Sequence, residues 1–236
     1  MLDKYSYDYE WDKEYCYPNS YVLKNKLNIK NQEDLSNAER EITSLKIAVA
    51  KKNIIWGNFD LAHLQMIHKF IFEDIYTWAG ELRHVNISKG NSFCLSEHIV
   101  ENANNIFKEL KEENFLIDSK SKRETTNRLA YYLGEINVIH PFREGNGRTQ
   151  RLFIEYLARV AGYGIDFSEI TPQEMIVASA EAFNCQYEKM ENIFQKSVYQ
   201  LTQETQERYI QLFFGDESEE MQLFHDIDNA GPQMMM

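Results

Sequence analysis

Twelve consecutive residues near the middle of the chain, from His140 to Arg151, combine polar side chains and flexible backbone in the way a phosphate-transfer site requires. Their sequence is His-Pro-Phe-Arg-Glu-Gly-Asn-Gly-Arg-Thr-Gln-Arg. An unperturbed histidine has a pKa near ~6.5, so it can accept a proton from a hydroxyl group at neutral pH. Pro141 disfavours helical backbone at the residue before it and ends the preceding helix. His140 is therefore the candidate general base.

The glycines and arginines of the same stretch predict a binding site for an anion. Gly145 and Gly147 allow the backbone to turn so that successive N–H groups converge. The helix expected to follow would direct the positive end of its dipole toward the same place. Arg148 and Arg151 are three residues apart and would share one face of that helix, where they could hold successive phosphates of a nucleotide.

Glu144, surrounded by this positive charge, predicts a divalent metal. Mg²⁺ typically uses one or two carboxylates and completes its octahedron with phosphate oxygens and water, so a single glutamate is sufficient. Taken singly, a Gly-Asn-Gly turn, a histidine or a surface arginine is usually structural. Their concentration between two apolar, helix-forming segments favours a catalytic site.

The composition excludes several classes of partner. The chain has 25 Lys+Arg against 37 Asp+Glu, a formal charge of -12, which disfavours nucleic acid and anionic membrane as main partners. Cys16, Cys94 and Cys185 form no CxxC pair, which argues against a disulfide framework or a zinc site. The start of the chain lacks signal-peptide features, and no apolar run approaches the ~18 residues of a spanning helix. We expect a cytoplasmic protein with no membrane association.

The elements that must position these residues are predicted to be helices. Ten Gly and four Pro in 236 residues disfavour a chain built from many tight turns, and 43% hydrophobic residues can form a sizeable core. The fold class is therefore expected to be all-α. Apolar spacing predicts helices over 35–49 behind a cap at Asn31, from 59 toward Trp78 with an end at Gly80, and over 97–113, 122–139, 149–161 and 172–200.

One segment predicts strands instead. Residues 82–87 alternate between apolar and polar side chains, residues 88–92 carry a Gly-Asn turn, and Phe93 to Leu95 follow. A two-stranded hairpin is marginal alone, so it must lean on the helices and could act as a movable flap.

The chain divides into an irregular lead-in over 1–20, one domain over 21–200 and an acidic C-terminal tail over 201–236 that is expected to be peripheral. His63 and His68 are five residues apart, a poor spacing for joint metal ligation, and are expected to pack or cap. Trp56, Trp78, Tyr131 and Tyr132 are expected in the core.

The stretch from His140 to Arg151 resembles the signature of the Fic (filamentation induced by cAMP) family, His-Pro-Phe-x-(Asp/Glu)-Gly-Asn-Gly-Arg-x-x-Arg, and matches every specified position. The similarity runs from about Tyr17 to Gln200. It includes Val22 to Leu27, Phe59 to Leu61, Tyr76 to Glu81 and Ile87 to Gly90.

The resemblance implies a helical Fic fold over 21–200 with a β-hairpin flap, and transfer of AMP from ATP to a Ser, Thr or Tyr hydroxyl of a target protein. His140 would be the base, Phe142 would anchor the loop, and Glu144 would hold Mg²⁺. The resemblance assigns nucleotide and phosphate contacts to Lys89, Gly90, Gly145, Asn146, Gly147, Arg148 and Arg151. It assigns target docking, by strand addition, to Asn91, Ser92 and Phe93.

Many Fic proteins are restrained by an inhibitory helix with the pattern (Ser/Thr)-x-x-x-Glu-(Gly/Asn), whose glutamate pairs with the second motif arginine. The pattern does not occur in this sequence. The near match from Leu35 to Arg40 has the wrong spacing and no Gly or Asn after its glutamate. The resemblance therefore implies a toxin regulated in trans by a small antitoxin. A degenerate inhibitory helix in the acidic tail is the alternative.

Other activities remain open at this stage. The relative Doc phosphorylates its target with a related loop that lacks the second glycine, so Gly147 argues against phosphorylation here. Family members also use other nucleotides or phosphocholine as donors, and a non-catalytic nucleotide-binding module is a further alternative. Among targets, the resemblance makes a topoisomerase subunit such as DNA gyrase a candidate, and small GTPases are modified elsewhere in the family.

Overall fold

The computed structural model describes residues 12–89 and 91–215, and this part of the chain is mainly helical. Its helices are α1 Gln32–Lys52, α2 Leu61–Phe72, α3 Ile99–Glu112, α4 Lys122–Ile139, α5 Asn146–Val160, α6 Pro172–Ala182, α7 Glu188–Ser197 and α8 Gln203–Phe214. The strands are β1 Ser88–Lys89, β2 Asn91–Ser92, β3 Tyr163–Ile165 and β4 Val198–Gln200. The prediction of an all-α helical bundle with a short hairpin is confirmed.

Helix α5 is the centre of the bundle. Its buried side chains include Leu152, Phe153, Ile154, Tyr156, Leu157 and Val160, which face in all directions around the helix axis. A helix that is apolar all round must be enclosed by other elements, and α2, α4 and α8 pack against it. Since the motif stretch enters α5 directly, the candidate site starts from the most enclosed element of the fold.

Polar caps fix where the helices begin. The Asn31 side chain accepts hydrogen bonds from the N–H groups of Glu33 and Asp34, as expected for a cap, although α1 extends beyond the predicted 35–49 in both directions. Ser121 caps α4 through the Glu124 N–H. Each cap satisfies backbone donors that a helix leaves unpaired at its start.

The prediction that the second helix continues to Gly80 is wrong, because α2 ends at Phe72. The chain then folds back along the helix. The Gly80 N–H donates to His68 Nδ1 at 2.8 Å, and its carbonyl accepts from Gln65 Nε2 at 2.8 Å. The apolar spacing beyond Phe72 reflects contacts of this returning segment, in which the rings of Tyr76 and Trp78 stack 4.3 Å apart.

The segment 172–200 is also not the single helix that was predicted. It forms α6 and α7, with Cys185 in left-handed backbone (φ 58°) between them, and then β4. Strand β4 pairs antiparallel with β3, Tyr163 opposite Gln200, a small sheet that the sequence did not indicate. The predicted helix over 97–113 is preceded by a 3-10 turn, Ser96–His98, before α3 starts.

The predicted lead-in and the tail that was expected to be peripheral both contribute to the core where they are described. Tyr15 and Cys16 are buried, and Cys16 forms an isolated bridge with Leu23. Helix α8 lies in the segment expected to be a tail, yet its Phe213 is 7% exposed and lies 4.6 Å from the Phe59 ring. The rest of these segments, residues 1–11 and 216–236, lies outside the described residues. Over the described ranges, every helix is too short or too polar to cross a membrane.

Candidate active site

His140 is the cap residue that ends α4, and it adopts left-handed backbone with φ 47° and ψ 61°. Its Nδ1 lies 3.1 Å from the Asn137 carbonyl. Since a carbonyl can only accept, this contact places the proton on Nδ1 and the lone pair on Nε2. The Phe93 ring stacks on the imidazole with centroids 3.8 Å apart, and the residue is 4% exposed. The geometry fixes both the orientation and the tautomer of a base.

Asn146 connects the loop to the start of α5. Its Oδ1 accepts from the Phe142 N–H at 2.9 Å, and its Nδ2 donates to the Phe142 carbonyl at 2.7 Å. The buried Phe142 ring stacks on His68 with centroids 3.9 Å apart, so it anchors the loop as the family resemblance implied. Both ends of the Asn146 amide are thus used within the loop. The side chain holds the backbone in place, and its predicted contact with a phosphate stays a prediction.

Helix α5 begins at Asn146, three residues before the predicted start at Thr149, so the Gly-Asn-Gly segment is part of the helix terminus. Gly145 is the cap with φ 82°, and no side chain caps this end. The first N–H groups of any helix lack intrahelical acceptors. With the positive end of the helix dipole, they are donors of the kind that the predicted anion site requires, and the binding of an anion here stays a prediction.

Glu144 is held at this helix terminus by several contacts. Its Oε1 accepts from the Gly145 N–H at 2.9 Å and lies 3.6 Å from Arg148 Nη2. Within residues 12–89 and 91–215, no group of three His, Cys, Asp or Glu could hold a metal by itself. A single carboxylate beside an anion site nevertheless fits Mg²⁺, which takes its remaining ligands from phosphate and water.

The two motif arginines have different surroundings. Arg148 donates to Glu39 at 2.5 Å and to the Thr43 hydroxyl at 3.1 Å, both on α1. Arg151 forms no ion pair with any carboxylate of the described chain. Burial, and secondarily the charge of Arg148, lowers the pKa of Arg151. An anion binding here would relieve an uncompensated positive charge.

His68 contributes to the site in a way that its spacing from His63 did not indicate. Its Nδ1 accepts from the Gly80 N–H, so Nε2 carries the proton and donates to the Glu144 carbonyl at 3.0 Å. Burial lowers its pKa to about 3, so the ring is neutral at physiological pH. It packs, as expected, and it also holds the backbone of the candidate metal ligand.

The predicted flap is a hairpin in which Ser88 pairs with Ser92 and Lys89 with Asn91. Gly90 and the side chains of Lys89 and Asn91 lie outside the described residues, so their predicted contacts with nucleotide or target stay predictions. Ser92 is exposed, as a docking residue should be, whereas Phe93 is buried against His140. Arg83, which sequence analysis also missed, is buried beside the same loop.

Comparison with known proteins adds independent information. The model of the Fic/DOC family matches residues 58–158, which include the hairpin and the whole motif stretch. The chain is 39% identical over 170 residues (72% of this chain, 87% of the relative) to "Probable protein adenylyltransferase y4lH" of Sinorhizobium fredii (strain NBRC 101917 / NGR234).

A second sequence relative is similar over more of the chain, and a solved structure has a similar fold. The chain is 39% identical over 221 residues to "Protein adenylyltransferase VbhT" of Bartonella schoenbuchensis, covering 93% of this chain and 45% of that longer relative. The crystal structure of the N-terminal Fic domain of a VirB-translocated Bep effector from Bartonella quintana, with bound ADP, superposes with a TM-score of 0.76. It is 32% identical, covering 80% of this chain and 96% of that chain.

Proposed function

The chain belongs to the Fic/DOC family and is a protein adenylyltransferase, and from this premise we propose that the α4–α5 loop transfers AMP from ATP to a Ser, Thr or Tyr hydroxyl. One observation carries the assignment of residues. His140 is oriented as a base at the end of α4, and the loop from it leads to the start of α5, which has no side-chain cap. Arg151, in the second turn of α5, has no carboxylate partner in the described chain. The base and the start of α5 lie at the two ends of one short loop, from His140 to Gly145.

In the proposed reaction the target hydroxyl oxygen attacks the α-phosphorus of ATP. The new O–P bond forms as the bond from the α-phosphorus to the oxygen bridging the β-phosphate breaks, and pyrophosphate leaves. The hydroxyl proton passes to His140 Nε2, while the Nδ1 contact with the Asn137 carbonyl stabilises the resulting imidazolium.

In the proposed complex, the loop and α5 would share the contacts with the three phosphates of ATP. The N–H groups at the start of α5 would hold the α-phosphate as charge develops on it, a role that backbone donors fill without reorganisation. Arg148 and Arg151 would hold the β- and γ-phosphates. Glu144 would hold Mg²⁺, which supplies charge neutralisation at the phosphates when bound.

Target docking is proposed for the edge of the hairpin formed by β1 and β2. A target segment added there as a further strand would use main-chain hydrogen bonds, with little demand on side-chain identity. Because Phe93 follows β2 and stacks on His140, a segment on this edge would lie beside the base.

We further propose that inhibition is supplied in trans by a small antitoxin, in the cytoplasm. Glu39, within the near match to the inhibitory pattern, pairs with the first motif arginine, Arg148, and not with Arg151. Arg151 therefore still lacks the carboxylate that an inhibitory helix would provide. The free cysteines Cys16, Cys94 and Cys185 suit a reducing compartment.

The reaction is tested by incubating the purified chain with Mg²⁺ and a bacterial lysate, using ATP labelled at the α position or at the γ position. Transfer of label from the α position alone, abolished in His140→Ala, is the expected result. Transfer from the γ position would mean phosphorylation. Retained transfer in His140→Ala would exclude His140 as the base.

Regulation is tested separately by comparing the full chain with one that ends at Gly215. Equal transfer rates are expected if the inhibitory carboxylate comes from another protein. A faster shortened chain would place the inhibitor in residues 216–236, which are rich in Asp and Glu.

A further inference from the structure

Arg83 is a buried cation whose hydrogen-bond partners are all backbone carbonyls. The residue is 2% exposed, and no carboxylate in the described part of the chain pairs with it. Its Nε donates to the His140 carbonyl at 2.7 Å, and its Nη2 donates to the carbonyls of Ile139 at 3.2 Å and Cys94. Its Nη1 donates to the Val85 carbonyl at 2.7 Å. The guanidinium thus makes four hydrogen bonds, all of them to main-chain carbonyls.

These four carbonyls belong to three separate segments. Ile139 and His140 end α4, Val85 lies in the arm that leads into β1, and Cys94 lies in the arm that leaves β2. The backbone N–H of Arg83 also donates to the Pro141 carbonyl at 2.9 Å. One residue therefore joins both arms of the hairpin to the general base and to the residue that follows it.

Two further contacts connect the same elements. The Cys94 N–H donates to the Val138 carbonyl at 3.0 Å, in the last turn of α4. The Phe93 ring stacks on His140. A displacement of the arm that leaves β2 would therefore move a hydrogen-bond partner of Arg83 and the ring that covers the imidazole together.

Only an arginine suits this arrangement. The planar guanidinium presents five N–H donors in a rigid fork, whereas lysine presents three donors on a flexible stem, and methionine presents none. Burial lowers the pKa of Arg83 to about 10, which still leaves the group charged at neutral pH. Removing the donors would leave several buried carbonyls without partners, which is costly.

We propose that Arg83 is a positioning residue that couples the hairpin to the general base, so that a target segment docked on the hairpin fixes His140 for proton transfer. The proposal rests on the proposed role of His140. Arg83 itself contacts neither nucleotide nor target. Its effect acts through the carbonyls of Ile139 and His140 and through the left-handed conformation of the base.

The test compares Arg83→Lys and Arg83→Met with Arg128→Met in the full chain. Arg128 also holds α4, through Glu109 and Glu113 and away from the loop, so it controls for loss of stability alone. Three quantities are measured: AMP transfer from α-labelled ATP, ADP affinity by calorimetry, and amide hydrogen exchange of residues 85–95.

For Arg83→Lys we expect ADP affinity within about threefold of the unmodified chain and kcat lower by ~10²-fold, the effect of a misplacement of about 1 Å. The amides of Phe93 and Cys94 should exchange faster. Arg83→Met should show the same pattern more strongly, and Arg128→Met should lower the melting temperature with little change in kcat.

A kcat for Arg83→Lys within about threefold of the unmodified chain would overturn the proposal. So would ADP affinity and kcat falling together, since that pattern means general loss of structure. If the unmodified chain transfers no AMP, the proposed function fails. The exchange measurement still decides the coupling, and unchanged exchange at Phe93 and Cys94 in Arg83→Lys would refute it.

Chemical rescue tests whether the guanidinium group of Arg83, and not the rest of its side chain, is what positions the base. Arg83→Ala leaves space for a free guanidinium ion, so guanidinium chloride at low millimolar concentration should restore part of the lost kcat. It should restore none in His140→Ala, which keeps Arg83 and lacks the base. Absence of rescue in a folded Arg83→Ala chain would contradict the proposed positioning role.

Discussion

At Gly145 the absence of a side chain decides whether the loop can pack against α2. The residue has φ 82°, and a Cβ placed there would lie 2.2 Å from Cζ of Phe72. Gly145→Ala must therefore either move a buried ring or shift the loop. We expect it to lower the free energy of unfolding by about 2–4 kcal/mol. Urea unfolding followed by circular dichroism measures this change.

Gly147→Ala provides the matched control from the same motif. Its nearest neighbour would be Nη1 of Arg151, at 3.0 Å, which is the end of a flexible side chain that can move. The expected change in unfolding free energy is below about 1 kcal/mol. Equal losses in the two variants would show that the glycines serve a common purpose and that the contact with Phe72 is not the cause.

The residues that the sequence identified and those it missed differ in one respect. His140, Glu144, Arg148 and Arg151 lie in one short stretch, so their shared chemistry was visible from spacing alone. The partners that hold them were not visible. The contact of His68 with the Glu144 carbonyl spans 76 residues, and that of Arg83 with the His140 carbonyl spans 57. Such contacts depend on how helices pack, which no local pattern encodes.

At the scale of elements, an ion pair connects α1 to α5. Glu39 pairs with Arg148, and the side chains are 12% and 24% exposed, while Glu39 also accepts from the Tyr76 hydroxyl. Removing either charge leaves the other partly buried without its partner. Glu39→Ala and Arg148→Ala should each lower the free energy of unfolding. The loss in the double variant should be smaller than the two single losses added together, by about 1–2 kcal/mol.

Urea unfolding of the two single variants and the double variant, without nucleotide, measures that coupling. The pair Lys108 and Glu112 is the comparison, because both side chains are exposed and their coupling should be near zero. Additive losses for Glu39 and Arg148 would mean that this ion pair does not contribute to holding α1 against α5.

Helix starts were predictable where a polar cap precedes an apolar stripe, as at Asn31. Helix ends were not. The apolar spacing continues past Phe72 and past Ala182, but α2 stops where the chain folds back on His68, and α6 stops before left-handed Cys185. In both places tertiary hydrogen bonds and a backbone reversal outweigh local propensity.

At the scale of the whole molecule, α8 closes the bundle beside α5. Phe213 packs against Phe59, and the His63 ring lies 5.9 Å away. Phe213→Ala should lower the free energy of unfolding by about 3–4 kcal/mol, because it leaves a cavity in an aromatic cluster. Thermal unfolding should show one cooperative transition at a lower temperature. Phe214→Ala, at a side chain 39% exposed, should cost markedly less.

Two buried histidines predict how the stability of the molecule depends on pH. Burial lowers the pKa of His63 to about 4 and that of His68 to about 3, whereas the unfolded chain titrates near ~6.5. Between these values the unfolded state binds more protons. Unfolding free energy should therefore fall on acidification below about pH 6.5, by up to about 1.4 kcal/mol per pH unit for each histidine.

Urea unfolding at about pH 7, 6 and 5 measures this slope, and His63→Phe removes one titrating ring while keeping an aromatic one. Between pH 6 and pH 5, the slope of the unfolding free energy against pH should then decrease by the amount that corresponds to about one bound proton. An unchanged slope would mean that His63 is protonated in the folded chain.

The left-handed backbone at His140 also bears on how such a sequence could change under selection. At φ 47° a residue with a Cβ carries a local penalty of ~1–2 kcal/mol that glycine would not. A library of variants screened only for heat resistance gives no advantage to the imidazole at this position. Repeated rounds of such a screen would favour variants with glycine at this position, which resist heat but have lost the base. Only a screen that also requires activity in each round would keep the histidine.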